Sequence, residues 1–163
     1  MTFDHPPINT VTATTIRELS ELVDLIEHDT QLNVVVFDSA NPDFFLAHYD
    51  VENDPKKTFA LPPGPTGMHA WLDLTARLSR APVVSIASIR GRARGAGGEF
   101  VLACDLRFAS RENTVLGRFE VGAGFIPAAV RWPGSPDSLV AAARWRSSSS
   151  PTTSTSWCPR RRA

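Results

Sequence analysis

The sequence has few cysteines, no excess of charge of either sign and no long hydrophobic run. Its 163 residues include two cysteines, Cys104 and Cys158, too few for a disulfide framework, and no Cys/His cluster has zinc-site spacing. We therefore expect no metal. Basic and acidic residues number 17 each, which excludes a strongly basic nucleic-acid-binding chain. No run approaches the roughly 18 apolar residues of a membrane span, so we expect no membrane partner.

The N-terminus has neither the basic start nor the apolar stretch of a signal peptide, since it reads Met1-Thr-Phe-Asp-His-Pro-Pro. Together with the low cysteine count, this predicts a reducing, cytoplasmic location. Hydrophobic residues make up 42% and charged residues 21% of the chain, a composition typical of a globular protein. The length favours one domain.

Two stretches have the apolar spacing of amphipathic helices. In residues 15–28 the apolar positions recur every three or four residues, and Thr15 with Glu18 fits a capping box, which predicts a helix beginning at Thr15. A second helix is predicted from Met68 to Leu78, before Pro82. Residues 53–67 contain four prolines and are predicted to form a flexible loop.

Residues 33–39 and 83–89 are short runs rich in β-branched residues, which predicts strands buried on both faces. Residues 105–110 alternate and predict a third strand. Helices between the strands imply crossover connections, so the predicted class is α/β with parallel strands.

The last 36 residues differ from the rest in composition. Residues 128–163 hold six arginines, one aspartate and three of the four tryptophans, and residues 147–156 are Ser and Thr except for one proline. No helical or alternating pattern continues beyond Ala143. We predict that residues 1–127 form the folded core and that residues 128–163 are a disordered, low-complexity basic tail.

A glycine-rich turn follows the second strand, at Gly91–Glu99, and opens a helix. Such a turn lets a ligand approach the backbone and directs helix N–H groups at it. A dinucleotide-binding fingerprint fails because its third glycine position holds Phe100, and a P-loop fails because no Gly-Lys-Ser/Thr follows. RNA binding by the arginines of this turn is a remote alternative.

Four ordered blocks resemble the enoyl-CoA hydratase/isomerase (crotonase) superfamily. The longest, residues 82–110, contains Arg-Gly-Ala-Gly-Gly-Glu-Phe, and a second is Gly-Arg-Phe-Glu-Val-Gly-Ala-Gly-Phe-Ile-Pro at 117–127. Upstream, residues 34–39 with Phe-Leu-Ala-His-Tyr-Asp-Val at 45–51, and Pro-Ile-Asn at 7–9, resemble the first strand, the oxyanion segment and the N-terminal motif. The resemblance implies a crotonase-like fold, a ββα superhelix, incomplete in this chain.

The same resemblance implies binding of an acyl-CoA thioester, with coenzyme A arriving as part of the substrate and no separate cofactor. By correspondence the backbone N–H groups of Ala47 and Ala96 form an oxyanion hole, which stabilises the enolate-like charge on the thioester oxygen. Glu99 and Glu120 correspond to the acid/base pair that adds water across the α,β double bond. Family members commonly form homotrimers or hexamers.

Residues beside these positions are candidates for substrate contact: Phe45, His48, Tyr49, Gly95 and Gly97. The chain departs from the family pattern at His48 and Arg94, at Phe119 where proline is usual, and by one extra residue between Glu99 and Glu120. These departures leave hydration, double-bond isomerisation and thioester hydrolysis open, because all three use an oxyanion hole. We expect Asp105 to structure the turn into its strand.

The resemblance ends at Pro127, and we interpret the chain as a truncated family member. A one-base shift of the reading frame near codon 127 is one hypothesis, since restoring one C allows Pro-Gly-Gly-Gly-Pro-Met-Ala to follow. The gene's nucleotide sequence tests it. We also expect the chain to lack the first strand or hairpin before Pro6. The alternative function is a catalytically inactive crotonase-like fragment that acts as a binding or assembly module.

Overall fold

A computed structural model of the protein describes residues 1–50, 52 and 55–117. Within these residues it contains four helices and seven strands. The helices are α1 (Ala13–His28), α2 (Pro55–Phe59), α3 (Ala70–Leu78) and α4 (Ala96–Ala103). The strands are β1 (Thr2–Phe3), β2 (Val34–Ser39), β3 (Phe44–Leu46), β4 (Val84–Ile89), β5 (Arg92–Arg94), β6 (Leu106–Ala109) and β7 (Val115–Gly117).

The strands form two sheets, and every strand pair in them is parallel. One sheet has the order β1-β2-β4-β6 and the other the order β3-β5-β7. Successive strands from β2 onward alternate between the two sheets, and helices return the chain from the second sheet to the first. This ββα progression is the architecture that the sequence predicted.

The core lies on one face of the four-stranded sheet. Phe37 of β2 and Ile89 of β4 point into it, together with buried side chains of α1, α3 and α4. Phe3, Phe37, Phe45 and Phe100 form an aromatic cluster with edge-to-face contacts, such as the 4.9 Å between the ring centroids of Phe37 and Phe100.

The prediction that β2 and β4 are buried on both faces is wrong. Side chains on the opposite face are exposed: Val34 by 47%, Val36 by 44% and Val84 by 39%. The apolar composition of these strands indicated two covered faces, whereas in the described part of the chain the helices cover one.

Three local expectations also change. The N-cap of α1 is Thr12, which forms a capping box with Thr15, so the helix begins at Ala13 rather than Thr15. The proline-rich stretch predicted as a loop includes helix α2. Strand β1 precedes Pro6, where we expected a strand to be lacking, and pairs with the end of β2.

Residues from 118 onward lie outside the described residues. The predictions about Glu120, about the boundary at residue 127 and about the tail therefore stay predictions. In the described part, no helix combines the length and apolarity that crossing a bilayer requires.

Candidate active site

The site is built where the glycine-rich turn enters α4. Gly95 has a positive φ of 53°, which glycine adopts without strain, and it is the N-cap of the helix. Ala96 is the first residue of α4, and its N–H has no acceptor among the described residues. Such N-terminal N–H groups lack intrahelical partners, and the helix dipole adds positive potential there. The position therefore favours a negatively charged oxygen.

The beginning of α4 packs directly against the end of β3. The N–H of Gly97 donates to the carbonyl oxygen of Ala47 at 2.9 Å. A Cβ atom at Gly97 would lie 1.8 Å from the carbonyl oxygen of Leu46, so only glycine fits without displacing one of the two segments. Gly97, predicted to contact substrate, has this packing role in the structure.

The Ala47 N–H is not available as the oxyanion donor that the resemblance assigned to it. It donates to the carbonyl oxygen of Asn9 at 2.9 Å. Asn9 is itself fixed: it is 1% exposed, and its side-chain amide donates to Ser39 Oγ at 2.8 Å and to the Phe45 carbonyl oxygen at 3.2 Å. Because the backbone N–H of Ala47 is already bonded to Asn9, it is not free for a ligand. The prediction that it is an oxyanion donor is therefore corrected.

Two residues further on, the N–H of Tyr49 is unoccupied in the described part of the chain, which the sequence analysis did not foresee. Val11 forms an isolated parallel bridge with Tyr49: its N–H donates to the His48 carbonyl oxygen, and its carbonyl oxygen accepts from Asp50 N–H. In a parallel bridge of this kind the central residue's own N–H faces away from the partner strand. Within the described residues the Tyr49 N–H has no acceptor.

Glu99 is the buried carboxylate of the site. It lies in the first turn of α4, three residues after Ala96, and is 4% exposed. Residues three apart share a helix face, so Glu99 and Ala96 lie on the same face of α4. Its Oε2 accepts a hydrogen bond of 2.9 Å from Nε1 of Trp71, a residue of α3 with no exposed surface.

The Tyr49 side chain borders the same carboxylate. Its ring lies 5.8 Å from the Trp71 ring, edge to face. Burial raises the pKa of the Tyr49 phenol far above its ordinary value, and the negative charge of Glu99 raises it further. The phenol is therefore neutral at physiological pH and is a potential hydrogen-bond donor.

The other predicted substrate contacts occupy varied positions. Phe45 has no exposed surface, and its ring packs edge to face on Phe3 at 5.4 Å, so it belongs to the core. The N–H of Gly95 donates to the Gly117 carbonyl oxygen at 3.2 Å. His48 is half-buried, and its Nδ1 lies 2.7 Å from the Tyr49 carbonyl oxygen.

Trp71 is a second residue at this site that the sequence reasoning did not single out. Its spacing identified it as an apolar residue of an amphipathic helix, which is correct. The available signal was chemical, since a buried indole N–H needs an acceptor and so indicates a polar group nearby.

In the described part of the chain, no three His, Cys, Asp or Glu side chains are grouped so that they could hold a metal ion.

The chain is similar in sequence and in fold to known proteins. A family model described as enoyl-CoA hydratase/isomerase matches residues 1–134. The crystal structure of a protein assigned as an enoyl-CoA hydratase from Streptomyces avermitilis is similar, with a TM-score of 0.71 and 45% identity over 86% of this chain and 53% of its own. The enoyl-CoA hydratase structure from Geobacillus kaustophilus has a TM-score of 0.69 and 27% identity, covering 90% of this chain and 54% of its own.

Human mitochondrial methylglutaconyl-CoA hydratase is 31% identical over 120 residues, which is 73% of this chain and 34% of that protein. The short-chain-enoyl-CoA hydratase of Clostridium acetobutylicum is 28% identical over 128 residues, 78% of this chain and 48% of that protein. The chain thus spans half or less of the length of these two relatives.

Proposed function

Since the chain belongs to the enoyl-CoA hydratase/isomerase family, we propose that it binds an acyl-CoA thioester and adds water to the α,β double bond or shifts that bond. The observation that carries the proposal is the beginning of α4. There a buried carboxylate, Glu99, lies one turn from the N–H of Ala96, which has no acceptor among the described residues. An anion-stabilising amide beside a buried acid/base group is what enolate chemistry requires.

The proposed oxyanion hole pairs the N–H of Ala96 with that of Tyr49. Both segments are joined by the hydrogen bond between Gly97 N–H and the Ala47 carbonyl oxygen, and each proposed donor lies within two residues of it. Two N–H groups on a thioester oxygen stabilise the negative charge that develops when a bond forms at the β-carbon. Removing one such donor typically costs about 3–4 kcal/mol of transition-state stabilisation.

In the hydration proposed here, hydroxide from water bonds to the β-carbon and a proton is delivered to the α-carbon. One carboxylate takes a proton from water and the other group, a carboxylic acid, gives its proton to carbon, so the two exchange protonation states. After the product leaves, proton exchange between them through solvent restores the pair. Glu99 provides one of these groups. Glu120, which lies outside the described residues, is proposed for the other because of the block at 117–127 that resembles the family. Coenzyme A enters as part of the substrate, and we propose no separate cofactor.

The first test is hydration of crotonyl-CoA, followed as loss of the enoyl thioester absorbance. We expect Glu99→Gln to lower kcat by about 10²-fold or more, because the amide cannot exchange a proton. Glu21→Gln is the matched control, since Glu21 is an exposed glutamate of α1. Equal rates for the wild type and the Glu99 variant would contradict the proposal. Release of free coenzyme A in place of a hydrated product would indicate thioester hydrolysis.

The second candidate is a binding or assembly module without catalysis. It is favoured by the exposed apolar side chains of β2 and β4, Val34, Val36 and Val84, which offer a sheet face to another surface. Calorimetric titration with butyryl-CoA, a saturated thioester, separates the candidates. Binding without turnover of crotonyl-CoA would support the module, and binding with turnover would support the enzyme.

A further inference from the structure

Trp71 makes a hydrogen bond to Glu99 from a completely buried position. Its Nε1 lies 2.9 Å from Glu99 Oε2, and the tryptophan side chain has no exposed surface. An indole N–H can only donate, so the direction of this bond is certain, and the carboxylate oxygen is its acceptor. Hydrogen bonds to a charged acceptor are among the stronger ones in proteins, especially away from water.

The donor cannot move easily, because aromatic rings lie near the indole on more than one side. The Tyr49 ring lies 5.8 Å from it at 69°, and the Phe100 ring lies 6.3 Å from it at 37°. At the backbone, the Trp71 N–H is capped by Nδ1 of His69 at 3.4 Å, and the Trp71 carbonyl oxygen accepts from the hydroxyl of Thr75 at 2.9 Å. The indole is therefore held by both its helix and its neighbours.

A rigid donor on one carboxylate oxygen limits how the carboxylate can rotate. Fixing Oε2 of Glu99 also restricts where Oε1 can lie relative to the beginning of α4. Proton transfer depends steeply on such placement, because the acid or base must be within hydrogen-bond reach of the reacting atom. Ala96 lies on the same helix turn, so one indole sets the carboxylate relative to the proposed oxyanion donor.

We infer that Trp71 is a positioning residue, which orients the Glu99 carboxylate for proton transfer to or from the thioester substrate. The inference rests on the proposed function. If Trp71 positions Glu99, loss of the indole N–H should lower the rate of the chemical step. If its role were purely structural, the loss should instead change binding or folding.

The test compares Trp71→Phe with the wild type in crotonyl-CoA hydration. Phenylalanine keeps an aromatic ring and removes the N–H. We expect kcat to fall at least tenfold while KM stays within twofold. Leu74→Met is the matched control, a volume-conserving change at another fully buried residue of α3, and should leave both constants within twofold. A Trp71→Phe enzyme with kcat within twofold of wild type would overturn the inference.

A second variant covers the case in which Trp71→Phe does not fold. Benzothienylalanine at position 71 has sulfur in place of the ring N–H and nearly the same volume. The same fall in kcat is expected, and an unchanged kcat again overturns the inference.

Indole ¹⁵N NMR provides a readout that does not depend on turnover. We expect Glu99→Gln to move the Trp71 Nε1–H resonance, identified by its loss in Trp71→Phe, and Glu21→Gln to leave it in place. A Trp71 Nε1–H resonance that does not move in Glu99→Gln would overturn the inference. A wild-type chain that neither binds butyryl-CoA nor hydrates crotonyl-CoA would overturn the proposed function and with it this role. Turnover without dependence on the Trp71 N–H overturns the role alone.

Discussion

Ala47 and Tyr49, two residues apart, differ in whether the backbone N–H is hydrogen-bonded within the described part of the chain. The N–H groups of Ala47 and Asp50 are three residues apart, yet their acceptors, the carbonyl oxygens of Asn9 and Val11, are two apart. The pairing is therefore irregular here. The irregularity directs the Ala47 N–H to Asn9, while the Tyr49 N–H, opposite Val11 in the bridge, has no acceptor in the described part of the chain. Spacing in the sequence cannot show such an irregularity, because it comes from the partner segment.

Tyr49 should titrate abnormally. Its pKa in the folded protein is raised above the ordinary 10.0 by burial and by Glu99. The folded state therefore holds the phenolic proton more tightly than the unfolded state. The contribution of Tyr49 to stability is complete below about pH 10 and is lost as the pH rises above it. Because Tyr49 is the only tyrosine, phenolate absorbance measures it directly, and we expect that absorbance to appear only with unfolding.

The control for this prediction is Tyr49→Phe, which should lose the phenolate signal and the Tyr49 part of the alkaline decline in stability. Normal phenolate titration near pH 10 in a chain with an unchanged circular dichroism spectrum would contradict the burial of this side chain.

At the scale of elements, close approach between segments determines where the site forms. At Gly91 and Gly97 the glycine-rich turn lies against β3 and the residues on either side of it. A Cβ at Gly91 would lie 2.2 Å from the Asp43 carbonyl carbon, and one at Gly97 would lie 1.8 Å from the Leu46 carbonyl oxygen. These glycines let β5 and α4 lie directly on β3 and the residues beside it, so the structure gives both glycines a packing role.

Asp105, which the sequence analysis expected to structure the turn into its strand, connects the start of β6 to Ser85 of β4. Its Oδ2 accepts from Ser85 N–H at 3.0 Å and from Ser85 Oγ at 2.8 Å, and its own N–H donates to Ser85 Oγ at 2.9 Å. Ser85 has no exposed surface, so its polar groups depend on this aspartate.

We expect Asp105→Ala to lower the free energy of unfolding by about 1–3 kcal/mol, because buried Ser85 donors would lose their acceptor. Urea denaturation followed by circular dichroism measures the change. Asp43→Ala, at an exposed aspartate, is the control and should change stability by less than about 0.5 kcal/mol. Equal stability of the Asp105 variant and wild type would show that the network contributes little.

At the scale of the whole molecule, the four-stranded sheet presents an apolar face to solvent. Val34, Val36 and Val84 share this face with Leu106 and Phe108, since Val34 pairs with Val84 and Ser88 pairs with Phe108 in the parallel register. Phe108 is 62% exposed. A contiguous exposed patch of this kind usually binds apolar probes or promotes association.

We expect Phe108→Lys to reduce binding of the fluorescent probe ANS and to raise solubility, while stability changes by less than about 0.5 kcal/mol because the residue is exposed. Leu25→Lys is the matched control. Leu25 is 66% exposed on α1, away from the patch, and its replacement should leave ANS fluorescence unchanged. Equal ANS binding by wild type and the Phe108 variant would show that this face does not bind the probe.

Pattern alone predicted α1 and α3 from helical spacing, β2 and β4 from β-branched runs and β6 from alternation, and the glycine-rich turn predicted the helix α4 that follows it. It could not predict β1, β3, β5 and β7, which have two or three residues and no period to detect. At the site, the resemblance placed Glu99 and Ala96 correctly on one helix turn. The sequence identified Trp71 only as an apolar helix residue, because its hydrogen bond to Glu99 joins residues 28 apart in the chain.

The sequence by itself determined the α/β class, the family and the identity of the buried glutamate, since these depend on local periodicity and on contiguous motifs. Only the tertiary structure decided which amides are unbonded and what holds the carboxylate. The Ala47 N–H is occupied by Asn9, and the Glu99 carboxylate by Trp71, in contacts that form only when distant segments pack together. A backbone N–H looks alike at every residue of the sequence, and its availability to a ligand is fixed by whichever acceptor folding brings to it.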